Sequence, residues 1–274
     1  MRVIGVCRFS YPALGGFKRM HDSVAEREAY LYAPGRMALR FAHFETLTLP
    51  SIRAQTDPDF TFLIVIGQNM PEPWLTRLQT LCAPVPQIKI VQREPLKHRL
   101  ALQLAIQDEL GEARPESLQF RLDDDDAVGV DFVEHIRSIA RRTGRLRRRE
   151  PRMAIEFNAG YAATLSKDGI IAEDVISAFW ACGLAVHFAE GDSRTIMNYG
   201  HHKLHHEMPA VIHPRPPMYI RAKHTDNDSA AKFRPRTLTP LTDAQRQIFK
   251  DRFNVDEEQV RAVFSALDAP RDTA

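Results

Sequence analysis

Residues 62–66 form an uninterrupted apolar run, with turn-forming residues before and after it. A run of this kind is typical of a strand that is buried on both faces of a sheet. Three other short apolar segments predict further strands, and segments with helical spacing alternate with them. The predicted strands cover residues 3–7, 88–91 and 118–122, and the predicted helices cover about residues 36–48, 74–81 and 96–110. This alternation predicts an α/β fold with a mostly parallel sheet flanked by helices.

Three local patterns add detail to this fold. Strict alternation of apolar and polar residues over residues 118–122 predicts a half-buried strand. Alternation at residues 153–157 and again at 161–165 predicts a hairpin. Pro50 lacks the N–H that a helix interior requires, so we expect it to end the helix that precedes it.

The composition is that of an ordinary globular chain, with 274 residues of which 44% are hydrophobic and 26% charged. A net charge of +2 is too small to indicate a general affinity for nucleic acid, so anions have to bind at local clusters. The three cysteines are dispersed, which predicts a reducing compartment and no disulfide framework. No segment approaches the ~20 apolar residues of a membrane span, and we expect a cytoplasmic protein.

Four consecutive aspartates, Asp123, Asp124, Asp125 and Asp126, follow the predicted strand at residues 118–122. Carboxylates this close raise one another's pKa unless a cation compensates them. Mg²⁺ and Mn²⁺ take oxygen ligands, and ligands of an open α/β sheet bind beyond the carboxyl ends of its strands. Because side chains alternate along a strand, we expect Asp123 and Asp125 on one side, which predicts a divalent-metal site.

A calcium loop of the EF-hand type is excluded by the spacing. Counted from Asp123, the sixth position is Val128, where that loop requires glycine.

Four motifs occur in a fixed order along the chain. Arg8-Phe9 ends the first predicted strand, Ser51 to Thr56 has the pattern S-x-x-x-Q-T, Leu122 to Asp126 has the pattern L-D-x-D-D, and His224, Asn227 and Ser229 form a late His-x-x-Asn-x-Ser. This set, over about residues 3–230, resembles the rhamnosyltransferase family of bacteria. The members of that family are nucleotide-sugar glycosyltransferases with the GT-A fold.

The resemblance implies a GT-A-like, Rossmann-like fold, a nucleoside-diphosphate sugar donor and a divalent metal, Mn²⁺ or Mg²⁺, that bridges the donor diphosphate. Carried over to this chain, Asp123 and Asp125 are the D-x-D pair that binds the metal, with Asp126 in support. His224 is the late histidine that contributes to the metal or the diphosphate. Asp123 and Asp124 are also expected to lie next to the donor.

The resemblance further implies a division of the chain. The parts are a glycosyltransferase domain at residues 1–238, made of a nucleotide-sugar half at 1–130 and an acceptor half at 131–238, and a helical appendage at 239–274. Thr242 and Gln245 have capping-box spacing, which supports helices in that tail.

Basic residues near the predicted site are candidates for the donor phosphates. Arg8 ends a strand, and Arg99 lies at the start of a helix, where the helix dipole also favours anions. Arg221 is a further candidate. Many related enzymes carry an Asp after the second strand for the nucleotide base. Gly67, Gln68 and Asn69 stand there in this chain, and Gln68 or Asn69 is expected to hydrogen-bond the base instead.

Glycosyl transfer also requires a general base that takes the proton of the acceptor hydroxyl. Glu190 and Asp192 flank a glycine after an apolar segment, and either of them is a candidate, with an ordinary turn as the alternative. His202 is a third candidate. It belongs to a histidine-rich segment whose i, i+4 spacing also suits zinc, although the H-E-x-x-H pattern is absent.

The acceptor is expected to be a glycan or a lipid-linked molecule. Residues 141–149 contain six arginines, which indicates either an exposed face or attraction to an anionic membrane surface or acidic glycan. We therefore expect peripheral contact with the inner face of the membrane as one possibility. Two other functions stay open from the sequence. One is a nucleotidyl- or phosphotransferase that uses the same aspartates with two metals, and the other is a non-catalytic nucleotide- or carbohydrate-binding module.

Overall fold

The computed structural model of the protein describes residues 1–15, 21–224 and 237–268. Twelve strands lie in these residues: β1 (Arg2–Arg8), β2 (Thr61–Gly67), β3 (Ile88–Arg93), β4 (Ser117–Arg121), β5 (Asp126–Val128), β6 (Arg152–Phe157), β7 (Ala159–Ser166), β8 (Gly169–Ile176), β9 (Leu184–Phe188), β10 (Ala210–His213), β11 (Tyr219–Ala222) and β12 (Thr239–Pro240). The α-helices are α1 (Val24–Leu31), α2 (Pro34–His43), α3 (Leu49–Arg53), α4 (Glu72–Cys82), α5 (His98–Leu110), α6 (Phe132–Arg142), α7 (Gly144–Arg147), α8 (Leu204–Glu207), α9 (Asp243–Phe253) and α10 (Glu257–Asp268).

The main sheet has seven strands in the order β10-β6-β9-β4-β1-β2-β3. Strands β4, β1, β2 and β3 are parallel to one another, and β9 runs antiparallel to both β4 and β6. The predicted α/β fold with a mostly parallel sheet and flanking helices is therefore confirmed. Because parallel strands end at the same edge, we call that side of the sheet, where β1, β2 and β4 end, the carboxyl edge, and the opposite side the amino edge.

The two faces of β2 enter different parts of the core. Phe62, Ile64 and Ile66 pack with residues of α2, α4 and α6, whereas Leu63 and Val65 pack with α5. The predicted burial of this strand on both faces is confirmed.

Strand β4 is also buried on both faces, so the prediction of a half-buried strand was wrong. The polar residue in its middle, Gln119, is fully buried, because β4 lies in the centre of the sheet between β1 and β9. Its side-chain oxygen accepts a hydrogen bond from the N–H of Ile196 at 3.0 Å, and its amide nitrogen donates to Ser117 Oγ at 3.1 Å. A buried amide whose oxygen and nitrogen are both hydrogen-bonded leaves no polar group unpaired in the core.

The helix expected to end at Pro50 continues to Arg53, which corrects that prediction. A π-helical turn at Phe44–Thr48 joins α2 to α3. Pro50 then lies in the first turn of α3, where a missing N–H costs little.

A second sheet has five strands in the order β12-β8-β7-β11-β5. The hairpin expected between β6 and β7 does not form, since these strands belong to different sheets. The hairpin is instead formed by β7 and β8, which pair from Ala159↔Ile176 to Ser166↔Gly169.

The tail is helical over its described residues, as predicted. Thr242 and Gln245 form the expected capping box at the start of α9. Phe249, Phe253 and Phe264 of the two tail helices share a buried cluster with residues of β7 and β8. Over the described ranges, none of the helices combines the length and the apolar character that crossing a membrane requires.

Candidate active site

The aspartate run links the two sheets. β4 ends at Arg121, and the N–H of Asp126 donates to the carbonyl of Asp123 at 3.2 Å, which closes a turn before β5 begins. β5 then pairs with β11 in the second sheet. The run is therefore a turn, not the extended strand end that the alternation argument assumed.

The turn nevertheless brings three carboxylates together. One oxygen from each of Asp123, Asp125 and Asp126 lies within 4.8 Å of the others. Asp123 is exposed, whereas Asp125 and Asp126 are buried. A donor set made only of carboxylate oxygens, open to solvent at one member, fits a hard divalent cation such as Mg²⁺ or Mn²⁺.

Asp125 is oriented by two cationic or potentially cationic side chains. Its Oδ2 lies 3.2 Å from Arg40 Nη1 and 2.8 Å from His224 Nε2. Burial favours the neutral form of Asp125, but Arg40 and His224 outweigh it and hold the pKa well below its usual range. His224 thus lies beside the site through Asp125, and its contribution to a metal or diphosphate stays a prediction. Its motif partners at residues 225–229 lie outside the described residues.

Asp124 is occupied elsewhere. It is almost completely buried and forms a two-point ion pair with the guanidinium of Arg40 on α2. The turn directs this side chain to α2, so the prediction that Asp124 contacts the donor is corrected to a structural pairing with Arg40. Arg40 itself was missed, because nothing in a helix sequence shows which distant carboxylate an arginine meets.

Asp126 is buried and is held in place by two hydrogen bonds. Its two carboxylate oxygens accept hydrogen bonds from Cys182 Sγ at 2.9 Å and from the N–H of Ala222 at 3.0 Å. Burial, together with the charges of Asp125 and Asp123, raises the pKa of Asp126 well above its ordinary value. Asp123 and Asp125 are therefore better placed than Asp126 for direct ligation of a metal.

A cluster of arginines lies around His98 at the same edge, with Asp123 close by. Arg8 at the end of β1, Arg99 at the start of α5 and Arg121 at the end of β4 all act on His98. Burial, followed by these three arginines, lowers the pKa of His98 to about 4. The two predicted arginines, Arg8 and Arg99, thus belong to this cluster, and their contact with donor phosphates stays a prediction. Arg121 was missed, although a charged residue at the very end of a strand is a usable signal.

Two further predicted residues lie near this cluster. Arg221 on β11 interacts electrostatically with Asp126 and Asp123. Gln68 is exposed and directly follows β2, the strand next to β1 at the same edge. Its position beyond the strand end matches the expectation, and its contact with a base stays a prediction.

Glu190 and Asp192 lie at the amino edge, away from the aspartate run. β9 runs antiparallel to β4, so Phe188 at the end of β9 is beside Ser117 at the start of β4. Asp192 accepts a hydrogen bond from Arg152 Nη2 at 2.9 Å, and its side chain is almost completely buried. The apolar segment before this pair does not show in which direction its strand runs in the sheet. We therefore do not retain this pair as candidate bases.

The histidine segment places a different member at the site. His202 is exposed, whereas the Nδ1 of its neighbour His201 bonds to the carbonyl of Phe179. Burial and then Arg121 lower the pKa of His201 to about 4. His201 therefore lies within the positive field of Arg121, and a catalytic role for His202 stays a prediction. In the described residues, the potential metal-ligand grouping is the aspartate cluster and not these histidines.

The arginine-rich segment at residues 141–149 also lies at the amino edge. Arg147 of α7 pairs with Glu116, the residue before β4. Arg145, Arg148 and Arg149 line an open surface depression with Leu146. Any anionic surface bound there would lie on the side opposite to the aspartate run.

The α/β sheet with an aspartate run at its carboxyl edge is the arrangement expected of a glycosyltransferase. The sequence model of the family described as "Putative rhamnosyl transferase" matches residues 2–236. The chain belongs to this family, which confirms the family predicted from the four motifs. None of the curated proteins compared with the chain matches it.

Solved structures of S. aureus TarS are similar in fold. For TarS 1-349 in complex with UDP-GlcNAc, the identity is 12% and the TM-score 0.44, over 85% of this chain and 62% of that one. For TarS 1-349 in complex with UDP, the values are 10% and 0.42, over 81% and 61%. For TarS 1-349 alone they are 11% and 0.43, over 81% and 60%. The chain thus spans about three fifths of the length of these structures.

Proposed function

We propose that the chain is a metal-dependent glycosyltransferase that moves a sugar, with rhamnose as the first candidate, from a nucleoside-diphosphate sugar to a glycan or lipid-linked acceptor. The observation that carries this proposal is the meeting of three carboxylates with a cluster of arginines at one edge of the sheet. A nucleoside diphosphate that shares a divalent cation with the protein complements both groups.

Asp123 and Asp125 would hold the cation, with Asp126 behind them. When bound, a divalent cation supplies positive charge that stabilises the diphosphate leaving group. Arg40 fixes Asp124 and Asp125 together, so the carboxylate of Asp125 is oriented before a ligand arrives. Preorganisation of this kind avoids reorientation during the reaction.

The arginines would bind the donor phosphates. Arg8, Arg99 and Arg121 come from three different elements whose ends meet at the carboxyl edge. Guanidinium groups suit this role because each presents several N–H donors to phosphate oxygens.

His201 would hold a sugar hydroxyl. Its low pKa leaves the ring neutral at pH 7, and the carbonyl of Phe179 accepts a hydrogen bond from Nδ1–H. The lone pair of the neutral ring is then on Nε2, which accepts a hydrogen bond from a hydroxyl group.

The test is a panel of nucleoside diphosphates and nucleoside-diphosphate sugars, measured by thermal shift with and without Mn²⁺. Metal-dependent stabilisation by a diphosphate supports the proposal. No shift with any diphosphate, together with identical behaviour of Asp125→Ala, overturns it. Slow hydrolysis of the donor sugar without acceptor separates an enzyme from a non-catalytic binding module, and release of phosphate or nucleoside monophosphate instead indicates phosphoryl or nucleotidyl transfer.

A further inference from the structure

Residues 177–183, which join β8 to β9 and are called the Trp180 loop below, have an unusual backbone. Phe179 and Ala181 have φ angles of 55° and 82°, in the left-handed region that favours glycine. Non-glycine residues keep this conformation only where the surrounding structure holds them in it, and such residues concentrate at functional sites.

One of the groups that holds the loop is the carboxylate of Glu156 on β6. Its Oε1 accepts a hydrogen bond from the N–H of Phe179 at 2.5 Å. Glu156 is fully buried, and its Oε2 has no hydrogen-bond partner among the described residues. Burial raises the pKa of Glu156 to about 7. A buried carboxylate with one oxygen left unpaired costs stability, so the fold alone does not account for it.

The other side of the loop contacts the candidate active site at three points. The carbonyl of Phe179 accepts from His201, and the carbonyl of Trp180 accepts from Arg221 Nη1 at 3.3 Å. The thiol of Cys182 donates to Asp126. The loop therefore connects Glu156 to the carboxylate cluster and to the cluster of arginines.

The indole of Trp180 is the large apolar surface at this position. Its ring centroid lies 4.5 Å from the guanidinium carbon of Arg221, and the side chain is only half-buried. A rigid aromatic ring beside hydrogen-bond donors is the combination that recognises a molecule with both an apolar face and polar edges, as a pyranose ring has.

We propose that Trp180 packs against a sugar ring in this site, and that Glu156 is the positioning residue that holds the Trp180 loop for this contact. The proposal rests on the proposed function and adds to it the group that recognises the sugar. The sugar is that of the donor or that of the acceptor, and the two sources give different results in the experiment below.

Tryptophan fluorescence tests the contact directly, because the chain has only two tryptophans. Trp74 lies on α4 with its ring 6.0 Å from that of Phe41, so Trp74→Phe is a conservative change that leaves Trp180 as the single reporter. This variant is titrated with nucleoside-diphosphate sugars in Mn²⁺, with the same diphosphates lacking the sugar, and with methyl glycosides.

An emission change that requires the sugar part of the nucleotide sugar supports contact with the donor. A change with methyl glycosides in the presence of a diphosphate supports contact with the acceptor. Equal responses to sugar-bearing and sugar-free ligands in both arms overturn the proposal. In a protein that keeps Trp74, Trp180→Ala should weaken binding of the sugar-bearing ligand by about three- to tenfold.

The role of Glu156 is tested in the same reporter variant. Glu156→Gln keeps an oxygen that can accept from Phe179, so it should retain the emission response, whereas Glu156→Ala should lose it. Glu116→Gln, a carboxylate at the amino edge, is the matched control and should respond like the parent. A full response in Glu156→Ala overturns the positioning role.

A double-mutant cycle gives a second measurement. If Glu156 acts through Trp180, Glu156→Ala should weaken sugar binding no further once Trp180 is alanine, while additive losses contradict the proposal. Trp180→Ala and Glu156→Gln keep the test decisive where Glu156→Ala does not fold. A diphosphate with Mn²⁺ should still stabilise Trp180→Ala against heat. If a diphosphate with Mn²⁺ does not stabilise the wild type, the proposed function itself is refuted.

Discussion

Charged side chains at the two edges of the main sheet have opposite arrangements. At the amino edge each carboxylate meets its own basic partners: Glu109 binds Arg2 and Lys89, Glu116 binds Arg147 and His187, and Asp192 binds Arg152. At the carboxyl edge, aspartates converge on one another, and arginines from three elements converge beside them.

This difference separates the charges that stabilise the fold from those that are placed to bind a ligand. Carboxylates that have their own basic partners are satisfied without a ligand, and such pairs contribute little individually where they are exposed. Clusters of like charge are unfavourable until something of opposite charge binds, and functional sites are where such clusters persist. Asp192, one of the sequence candidates, belongs to the first kind, and Asp123 and Asp125 belong to the second.

The largest effect is expected from Asp125→Ala, which breaks the carboxyl-edge cluster. Removal of this carboxylate should lower kcat/KM for the donor by about 10²–10³-fold, because charge stabilisation at a leaving group is worth that much. Steady-state kinetics with the donor identified in the panel measures it. Glu116→Gln at the amino edge should keep the wild-type rate, and equal losses in both variants would erase the distinction between the edges.

A smaller effect is expected from Arg121→Gln, which removes one cation from the cluster. Loss of a charge-assisted hydrogen bond should weaken binding of the nucleoside diphosphate by about 10–100-fold, measured by calorimetry in Mn²⁺. The pKa of His201 should rise from about 4, since Arg121 lowers it, but burial should keep it below its ordinary value. An unchanged histidine titration in the NMR spectrum would show that Arg121 does not act on this site.

The smallest effect concerns stability and contrasts two glutamates. Burial raises the pKa of Glu156 to about 7 from an ordinary 4.5. The stability that Glu156 contributes in its protonated form is therefore lost as pH rises from 4.5 through 7. Glu156→Gln should remove this loss and be more stable than the wild type at pH 8 by about 1–2 kcal/mol, with little difference at pH 5.

Substitution of Glu116 should change the stability at pH 8 in the opposite direction. Burial favours its neutral form, but the bond to His187 and the charge of Arg147 outweigh it and hold the pKa below its ordinary value. Its contribution is present above the ordinary pKa and is lost as pH falls through the folded one. Glu116→Gln should therefore be less stable than the wild type at pH 8. Urea denaturation at pH 3, 5 and 8 measures both variants. The difference between Glu116→Gln and the wild type should hold from pH 8 to 5 and shrink at pH 3, whereas that of Glu156→Gln should grow from pH 5 to 8, and unchanged differences at all three pH values would contradict the contrast.

The order of strands and helices in the first half of the chain was predictable from local patterns. Buried parallel strands such as β2 are continuous apolar runs, and the helices between them have regular spacing. The aspartate run was recognisable for a similar reason, because four adjacent carboxylates after a strand are unusual without a ligand. The four ordered motifs also identified the family correctly.

What the sequence did not reveal depends on strand direction and on distant contacts. The reversal of β9 sends Asp192 to the amino edge, and no local pattern states which way a strand runs in its sheet. The turn at the aspartate run separates Asp124 from its neighbours only because Arg40 of α2 meets it. Glu156 is one residue in an apolar strand, and its connection to Trp180 exists only once β6 and the loop pack together.

The sequence by itself therefore determined the α/β class, the family and the place where the carboxylates cluster, since these follow from local periodicity and adjacent residues. Only the tertiary structure decided which aspartates face the arginines, which histidine stands at the site and which edge each acid occupies. These depend on side chains from separate elements meeting in space, and their charges acquire a role only relative to those neighbours.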